Sequence, residues 1–347
     1  MSEQQTWPEN CWYVAAMPQE LNGKPLGRVI CDKHVVLFRN DKKQAIALED
    51  FCPHRGLPLS EGVIENGKIA CGYHGMVVNC DGSCHSMKGQ DVSRLRGIHA
   101  YPVIERHGFI WLWPGNAELA NPELIPDLAW ANSPDWAYGG DYYHMKCDYR
   151  LLIDNLMDLT HETYVHSDSI GQPEIEESAP ITAIENGEVR VSRTMYKIPA
   201  PPFWQDALKA NNAAHDVLCD RWQVCRYIKP SQVMIEVGVA HADCGVQNAE
   251  ASKRASGIVV DLITPQTKTS CHYFWGLARN FNVNDSELTE TVRQSQGKIF
   301  AEDLEVLEKQ QASLLRNPER RLISLNIDAG GVHARRVIDK MILEEST

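Results

Sequence analysis

Short alternating and apolar runs dominate the first hundred residues. Arg28–Arg39 (RVICDKHVVLFR) is rich in Val and Ile and ends at Asn40-Asp41, so it predicts one strand closed by a turn. A second short strand is predicted over Gln44–Leu48, a hairpin turn at Asn66-Gly67, and an apolar strand over Gly108–Pro114 (GFIWLWP). Residues 114–126 (PGNAELANPELIP), rich in Pro, Asn and Ala, read as a crossing between domains, with a boundary near residue 117. Beyond it, strand-like residues over Tyr142–Tyr149 give way to a helical spacing of apolar residues from Leu151 to Leu159. Five further strands are predicted, over Val189–Ile198, Arg221–Tyr227, Val233–Ala240, Ile258–Ile263 and Ser270–Ala278. Asp285-Ser286 caps a long helix over about Glu287–Leu315, and a last helix runs over Gly331–Glu345. The expected class is α+β: an antiparallel β domain over residues 1–117, then a domain over 118–347 whose antiparallel sheet grips long helices.

Composition narrows the function. With 347 residues and 43% hydrophobic content the chain has room for two cores. A net charge of −12 argues against nucleic acid as a partner. The polar start MSEQQTWPEN carries no leader, and apolar runs such as Gly257–Val260 are too short to span a bilayer. These features predict a cytoplasmic protein with no membrane segment, whose eleven Cys are thiols or metal ligands.

The densest chemistry lies in Phe51–Gly75, FCPHRGLPLSEGVIENGKIACGYHG. Cys52-Pro53-His54 and Cys71-Gly72-Tyr73-His74 each set a thiolate beside an imidazole, with sixteen residues between the pairs. Zinc also takes two Cys and two His, but zinc fingers keep Cys with Cys and His with His. The mixed pattern, repeated on two loops, suits a [2Fe–2S] cluster with two Cys on one iron and two His on the other. Cys80 and Cys84, in the polar turn NCDGSC, read as ordinary thiols because that ligand set is already complete.

A second metal site is suggested by DNLMDLTHETYVH, residues 154–166. Asp158 and His161, three apart, share a face of a helix. His166 is five beyond His161, a rotation of about 140°, so a common ion requires the helix to end or bulge between them, near Tyr164-Val165. Alone, the pair is equally well read as two hydrogen-bonded histidines at a helix end. Asp303 tips the balance. It falls in the apolar stripe of the long helix with Ile299, Phe300, Val306 and Leu307, where a carboxylate needs a cation or close partners. Glu305, among Ala301, Glu302, Glu308 and Lys309, reads as part of a solvated face. Two His and one carboxylate with open positions form the facial triad of iron(II) oxygenases.

Cys-x-His-Arg-Gly with Cys-x-Tyr-His-Gly, and Asn155, Asp158-x-x-His161-x-x-x-x-His166 and a distant Asp303, together resemble the Rieske non-haem iron oxygenases over nearly the whole chain. Met76 departs, standing where many members carry Trp. RLLIDNLMDLTHETYVH, APPFWQDAL, HYFWGLARNF and IDAGGV resemble members that demethylate or hydroxylate methyl groups of substituted benzoates and toluenesulfonate. The resemblance implies a Rieske cluster on Cys52, His54, Cys71 and His74, and a mononuclear Fe(II) on His161, His166 and Asp303. It implies O₂ and a small aromatic acid as substrates, and a ring of three identical subunits. Asn155 and Asp158 join the catalytic group, Asp158 bridging His161 to a neighbouring subunit's His74. The chain has no Gly-rich dinucleotide fingerprint, so electrons from NAD(P)H must arrive through a separate flavin and iron–sulfur reductase. Two other classes compete. A Rieske electron carrier explains nothing after residue 117, and a ligand-binding module explains neither metal pattern. Arg221, His241 and Arg279 are candidates to hold a carboxylate, but surface pairing or core satisfaction explains each as well, so none is assigned.

Overall fold

Asn66-Gly67 makes the tight connection expected of it, both residues having positive φ (49° and 67°). The computed structural model describes residues 5–346 except 168, 169, 172 and 186. The chain divides into two units. One comprises residues 1–127, 264–267 and 342–347, the other residues 128–263 and 268–341.

The first unit is built from ten short strands: β1 (Tyr13–Ala16), β2 (Leu26–Ile30), β3 (Lys33–Arg39), β4 (Ala45–Glu49), β5 (Val63–Glu65), β6 (Lys68–Ala70), β7 (Val77–Val78), β8 (Cys84–Ser86), β9 (Val103–Arg106) and β10 (Phe109–Leu112). They form three antiparallel sheets, ordered β1-β10-β9, β2-β3-β4 and β5-β6-β7-β8. The single strand expected over Arg28–Arg39 is a hairpin, with Cys31 and Asp32 at φ 52° and 58° pairing Ile30 with Lys33. Positive φ at a cysteine is uncommon, and the apolar run gives no sign of a turn there.

The second unit is a seven-stranded antiparallel sheet ordered β11-β17-β16-β15-β14-β13-β12. Its strands are β11 (Ala137–Met145), β12 (Ile181–Glu185), β13 (Glu188–Pro199), β14 (Leu218–Ile228), β15 (Gln232–His241), β16 (Arg254–Thr267) and β17 (Ser270–Arg279). Its helices are α1 (Tyr149–Leu156), α2 (Glu162–Val165), α3 (Glu174–Glu177), α4 (Pro202–Ala210), α5 (Ser286–Arg316) and α6 (Ala329–Glu345). The α+β, helix-gripping architecture expected from the sequence is what forms. Three local expectations need correction. β12 and α4 have no counterpart in the sequence reading. The strand expected over Tyr142–Tyr149 stops at Met145, because Asp148 accepts a 2.9 Å bond from Arg150 N and starts α1 at Tyr149. Helical structure also stops at Leu156 instead of continuing toward His161.

Asp285 caps α5 by accepting a 2.8 Å bond from Leu288 N. The helix lies on the sheet through Phe300, which meets Tyr273 and Trp275 edge-on at 5.3 and 5.4 Å. A Cβ on Gly297 would come within 2.9 Å of the Trp275 ring, so glycine permits this approach. At the other end of α1, Arg335 of α6 grips Asp154 through two nitrogens at 2.6–2.9 Å. Gly331 lets that helix close in, since a Cβ there would sit 2.7 Å from Asp154 Oδ1.

Candidate metal centres and active site

The two cysteine loops of the first unit have one backbone design. Cys52 N donates to Leu57 O at 2.9 Å and Gly56 N returns to Cys52 O at 2.8 Å. Cys71 N likewise donates to Met76 O at 2.8 Å, and Gly75 N to Cys71 O at 3.1 Å. Both closing glycines take left-handed φ, 73° and 69°, which explains Gly four residues after each Cys. The loops bury their thiols among Val36, Phe38, Leu59, Ile69 and Met76 and leave both imidazoles exposed. His54 and His74 meet edge to face, ring centroids 4.6 Å apart. Burial, and then the adjacent Cys71 thiol, push the Cys52 thiol above its usual range. Slight desolvation by its own loop, and then the neighbouring His54 and Arg55, push the exposed His74 imidazole down. Two buried thiols and two exposed imidazoles fit the two-Cys, two-His donor set of a Rieske [2Fe–2S] cluster. Cys80 donates to Gly67 O at 3.2 Å and Cys84 to Arg96 O at 3.8 Å, so both have local partners as thiols.

In the second unit His161, His166 and Asp303 converge, one ligand atom from each lying within 4.8 Å of the others. Nε2 of His161 is 3.4 Å and Nε2 of His166 is 3.2 Å from Asp303 Oδ1. His161 is helical (φ −73°, ψ −20°), whereas His166 is not (φ −109°, ψ 29°). Helix α2 therefore ends between them, and the chain swings back at His166 to bring the two rings to 5.2 Å. Asp158 is not on a helix with His161. It lies in the turn after α1, where Oδ1 accepts 2.7 Å bonds from Thr160 N and Thr160 Oγ1, a local arrangement that competes with helix. Its Oδ2 is 3.8 Å from His161 Nδ1, beyond hydrogen-bond length. Asn155 donates to Asp303 Oδ1 at 3.0 Å, and its Nδ2 is 3.5 Å from His161 Nε2.

Burial disfavours charge at this site, yet the groups hold each other ionised. Against burial, Asp158 and Asp303 carry His161 up to about 10. Against the same cost, the two imidazoles bring Asp303 down to about 2. His166 is also raised, by Asp303 and Glu302. A divalent cation would replace the protons that now hold the cluster together, and two imidazoles plus one carboxylate suit iron(II) with open positions.

Glu302 is the residue the sequence misplaces. Its neighbours put it on the solvated face, but its Oε2 lies 2.6 Å from His166 Nδ1 and it is only partly exposed. Its position next to Asp303, about 100° around the helix, is the available signal. Val306, expected in the buried stripe, is 43% exposed, whereas Phe300, Asp303 and Leu307 are buried. Glu305 is exposed and pairs with Lys309.

Beside the triad lies a cavity of about 310 Å³ whose wall includes Phe203, Trp204, Val237, Leu277 and Ile299. Ile299 is one turn before Asp303 on α5. Gln223, also in the wall, donates at 2.6 Å to Glu162, the neighbour of His161. Of the three candidates for a carboxylate, only Arg221 lines this cavity. Arg279 donates to the carbonyls of Phe281, Asn282 and Asp285 and to Thr289 Oγ1, tying down the start of α5. His241 Nε2 bonds Ala214 O at 2.8 Å.

Known proteins match along this same division. Residues 11–102 match the Rieske [2Fe-2S] domain and residues 145–344 the vanillate O-demethylase oxygenase C-terminal domain. The vanillate O-demethylase oxygenase subunit of Pseudomonas sp. (strain HR199 / DSM 7063) is 57% identical over 339 residues, 98% of this chain and 96% of that one. The oxygenase component of dicamba O-demethylase from Stenotrophomonas maltophilia is 34% identical over 342 residues, 97% and 98% of the two chains. A crystal structure of dicamba monooxygenase bound to 3,6-dichlorosalicylic acid superposes with a TM-score of 0.89 at 32% identity, covering 98% of each chain. Another, with non-heme iron and dicamba, gives 0.80 at 32% identity, covering 97% of this chain and 98% of that one.

Proposed function

The chain belongs to the family of vanillate O-demethylase oxygenase subunits, and from that premise we propose that it converts vanillate (4-hydroxy-3-methoxybenzoate) to protocatechuate and formaldehyde. The observation that carries the catalytic part is the convergence of His161, His166 and Asp303 beside a ring-sized apolar cavity. An electron carrier would have no use for that triad, nor for a family match over residues 145–344.

The balance is one methoxyarene, one O₂, two electrons and two protons giving phenol, formaldehyde and water. When bound, a Rieske cluster would supply single electrons and a mononuclear iron would supply the chemistry of O₂. Cys52, His54, Cys71 and His74 would hold the first, and His161, His166 and Asp303 the second. Glu302 keeps the His166 proton on Nδ1, so Nε2 stays free to ligate. Asn155 donates to Asp303 Oδ1 and fixes the rotamer of that carboxylate. The apolar wall excludes water from the ring.

Electrons come from NAD(P)H through a separate flavin and iron–sulfur reductase. We place the protein in the cytoplasm, where thiols stay reduced; none of the described helices is long and apolar enough to cross a membrane. It assembles as a homotrimer in which Asp158, 3.8 Å from His161 Nδ1, stands between that imidazole and a neighbouring subunit's His74. Demethylation of another substituted benzoate is the second reading, supported by the 34% identity to dicamba O-demethylase against 57% for the vanillate enzyme. A panel of methoxybenzoates, assayed with reductase for formaldehyde, tests the choice. Vanillate is expected to be turned over fastest, and no formaldehyde from any member would overturn the reading.

A further inference from the structure

Both histidines of the triad sit on a stretch with little regular structure of its own. Helix α2 is a single turn, and Leu159 and Thr160 lie in a bend before it. A helix that short is not stable by itself, so its position comes from tertiary contacts. Glu302 and Asn155 act on side chains of the triad. Neither holds the backbone that carries His161.

That backbone is held from the sheet. Val189, Val191, Arg193 and Met195 alternate inward along β13, so a cation takes one position of a buried apolar stripe. Arg193 is 3% exposed. It donates to Leu159 O and, at 3.2 Å, to Ile175 O. Leu159 comes before the first histidine of the triad and Ile175, in α3, after the second. One guanidinium therefore grips the chain on both sides of the pair. Gln223 stands directly opposite Arg193 on β14. Its Nε2 donates at 2.6 Å to Oε1 of Glu162, the residue after His161. The same oxygen is 3.8 Å from Arg193 Nη2. Cross-strand partners share a face of the sheet, so the two side chains make one polar seat for the ligand stretch. Buried carbonyls need donors, and a planar guanidinium with its fork of N–H groups serves two at once.

We propose that Arg193, with Gln223 opposite, is a positioning residue of the mononuclear site: it sets where the backbone of His161 and His166 lies against Asp303 on α5. The inference rests on the reading of the triad as an iron site and goes beyond it by naming what places two of the ligands. Those ligands come from separate stretches of chain, and a metal site tolerates misplacement of only about 0.2 Å. Arg193 acts through the backbone and does not itself ligate.

The test measures the mononuclear iron that the cluster-loaded enzyme retains against a graded iron(II) chelator. Melting temperature and the visible cluster spectrum are recorded on each protein. Arg193→Met, which keeps the length and removes every donor, should weaken retention about tenfold or more and leave the cluster spectrum unchanged. Arg193→Lys presents a point charge in place of the fork, so its retention should fall between those of Arg193→Met and wild type. Gln223→Met, which removes the donor to Glu162 from the opposite strand, should weaken retention as well. Val189→Ala, which opens a cavity on the same face of β13, should lower the melting temperature and keep wild-type retention. Wild-type retention in Arg193→Met overturns the proposal. So does an equal loss in Val189→Ala, which marks the effect as general destabilisation. If Arg193→Met does not fold, Arg193→Lys and Gln223→Met decide, and wild-type retention in both overturns the seat. Iron content of the wild type separates this from the broader reading. A mononuclear iron that Arg193→Met retains normally leaves the iron site standing and removes the seat, whereas a wild type with cluster iron alone removes both.

Discussion

The Glu302 carboxylate lies 2.6 Å from Nδ1 of His166, so that nitrogen carries the ring proton and Nε2 faces Asp303. Such a contact fixes the tautomer and orientation of a ligating imidazole and raises its basicity. Glu302→Ala is therefore expected to weaken iron(II) binding at the mononuclear site about 10- to 100-fold. The visible spectrum of the cluster should stay intact. Equilibrium dialysis of iron against the apo-protein checks this, and wild-type affinity in the variant would show that the contact does not support the ligand.

Asp303 and Glu305, two residues apart on α5, should behave oppositely. Asp303 is buried against both imidazoles, whereas Glu305 pairs with Lys309 in solvent. Asp303→Ala should abolish turnover and lower iron content while sparing the cluster spectrum. Glu305→Ala should do neither, and its loss of one exposed, solvent-screened ion pair should leave stability nearly unchanged. Equal losses in both variants would contradict the assignment.

Cys52→Ser should remove the visible iron–sulfur absorption, because a hydroxyl is a poor ligand for an iron–sulfur cluster. Cys84→Ser, whose thiol donates to Arg96 O, should leave it unchanged. Absorption spectra of the two purified variants decide it.

Asp261 gives the second unit a pH-dependent stability. It is fully buried, and burial carries its carboxyl up to about 8 despite the 2.7 Å bond from Tyr273 Oη. Between its usual range near 4 and that value the folded state binds the extra proton, so stability falls as pH rises through this window and levels off above it. Asp261→Asn, with no proton to lose, should flatten that part of the curve and melt higher than wild type at pH 9. Melting temperatures from pH 5 to 9 check it, and parallel curves for the two proteins would contradict the account.

Much of this fold is legible in the sequence because its signals are local. Asn66-Gly67 and the Asp285 cap specify a turn and a helix start by themselves. The paired cysteine loops are legible for the same reason, since each closes on its own backbone. What escapes a sequence reading depends on distant partners. Glu302 looks solvated until α5 is laid beside α2, and the Cys31-Asp32 turn is imposed by pairing of β2 with β3. The turn holding Asp158 escapes for a subtler reason. Its apolar neighbours have helical spacing, but the Asp158–Thr160 bonds offer the backbone a competing local structure.

The central claim is that each chain carries a mononuclear iron in addition to a two-iron cluster. Iron and acid-labile sulfide, measured per chain on the reconstituted protein and on Asp303→Ala, test it most directly. The account predicts about three irons to two sulfides in the wild type and about two to two in the variant, with the cluster spectrum unchanged. Two irons to two sulfides in both proteins would contradict it and leave a Rieske electron carrier.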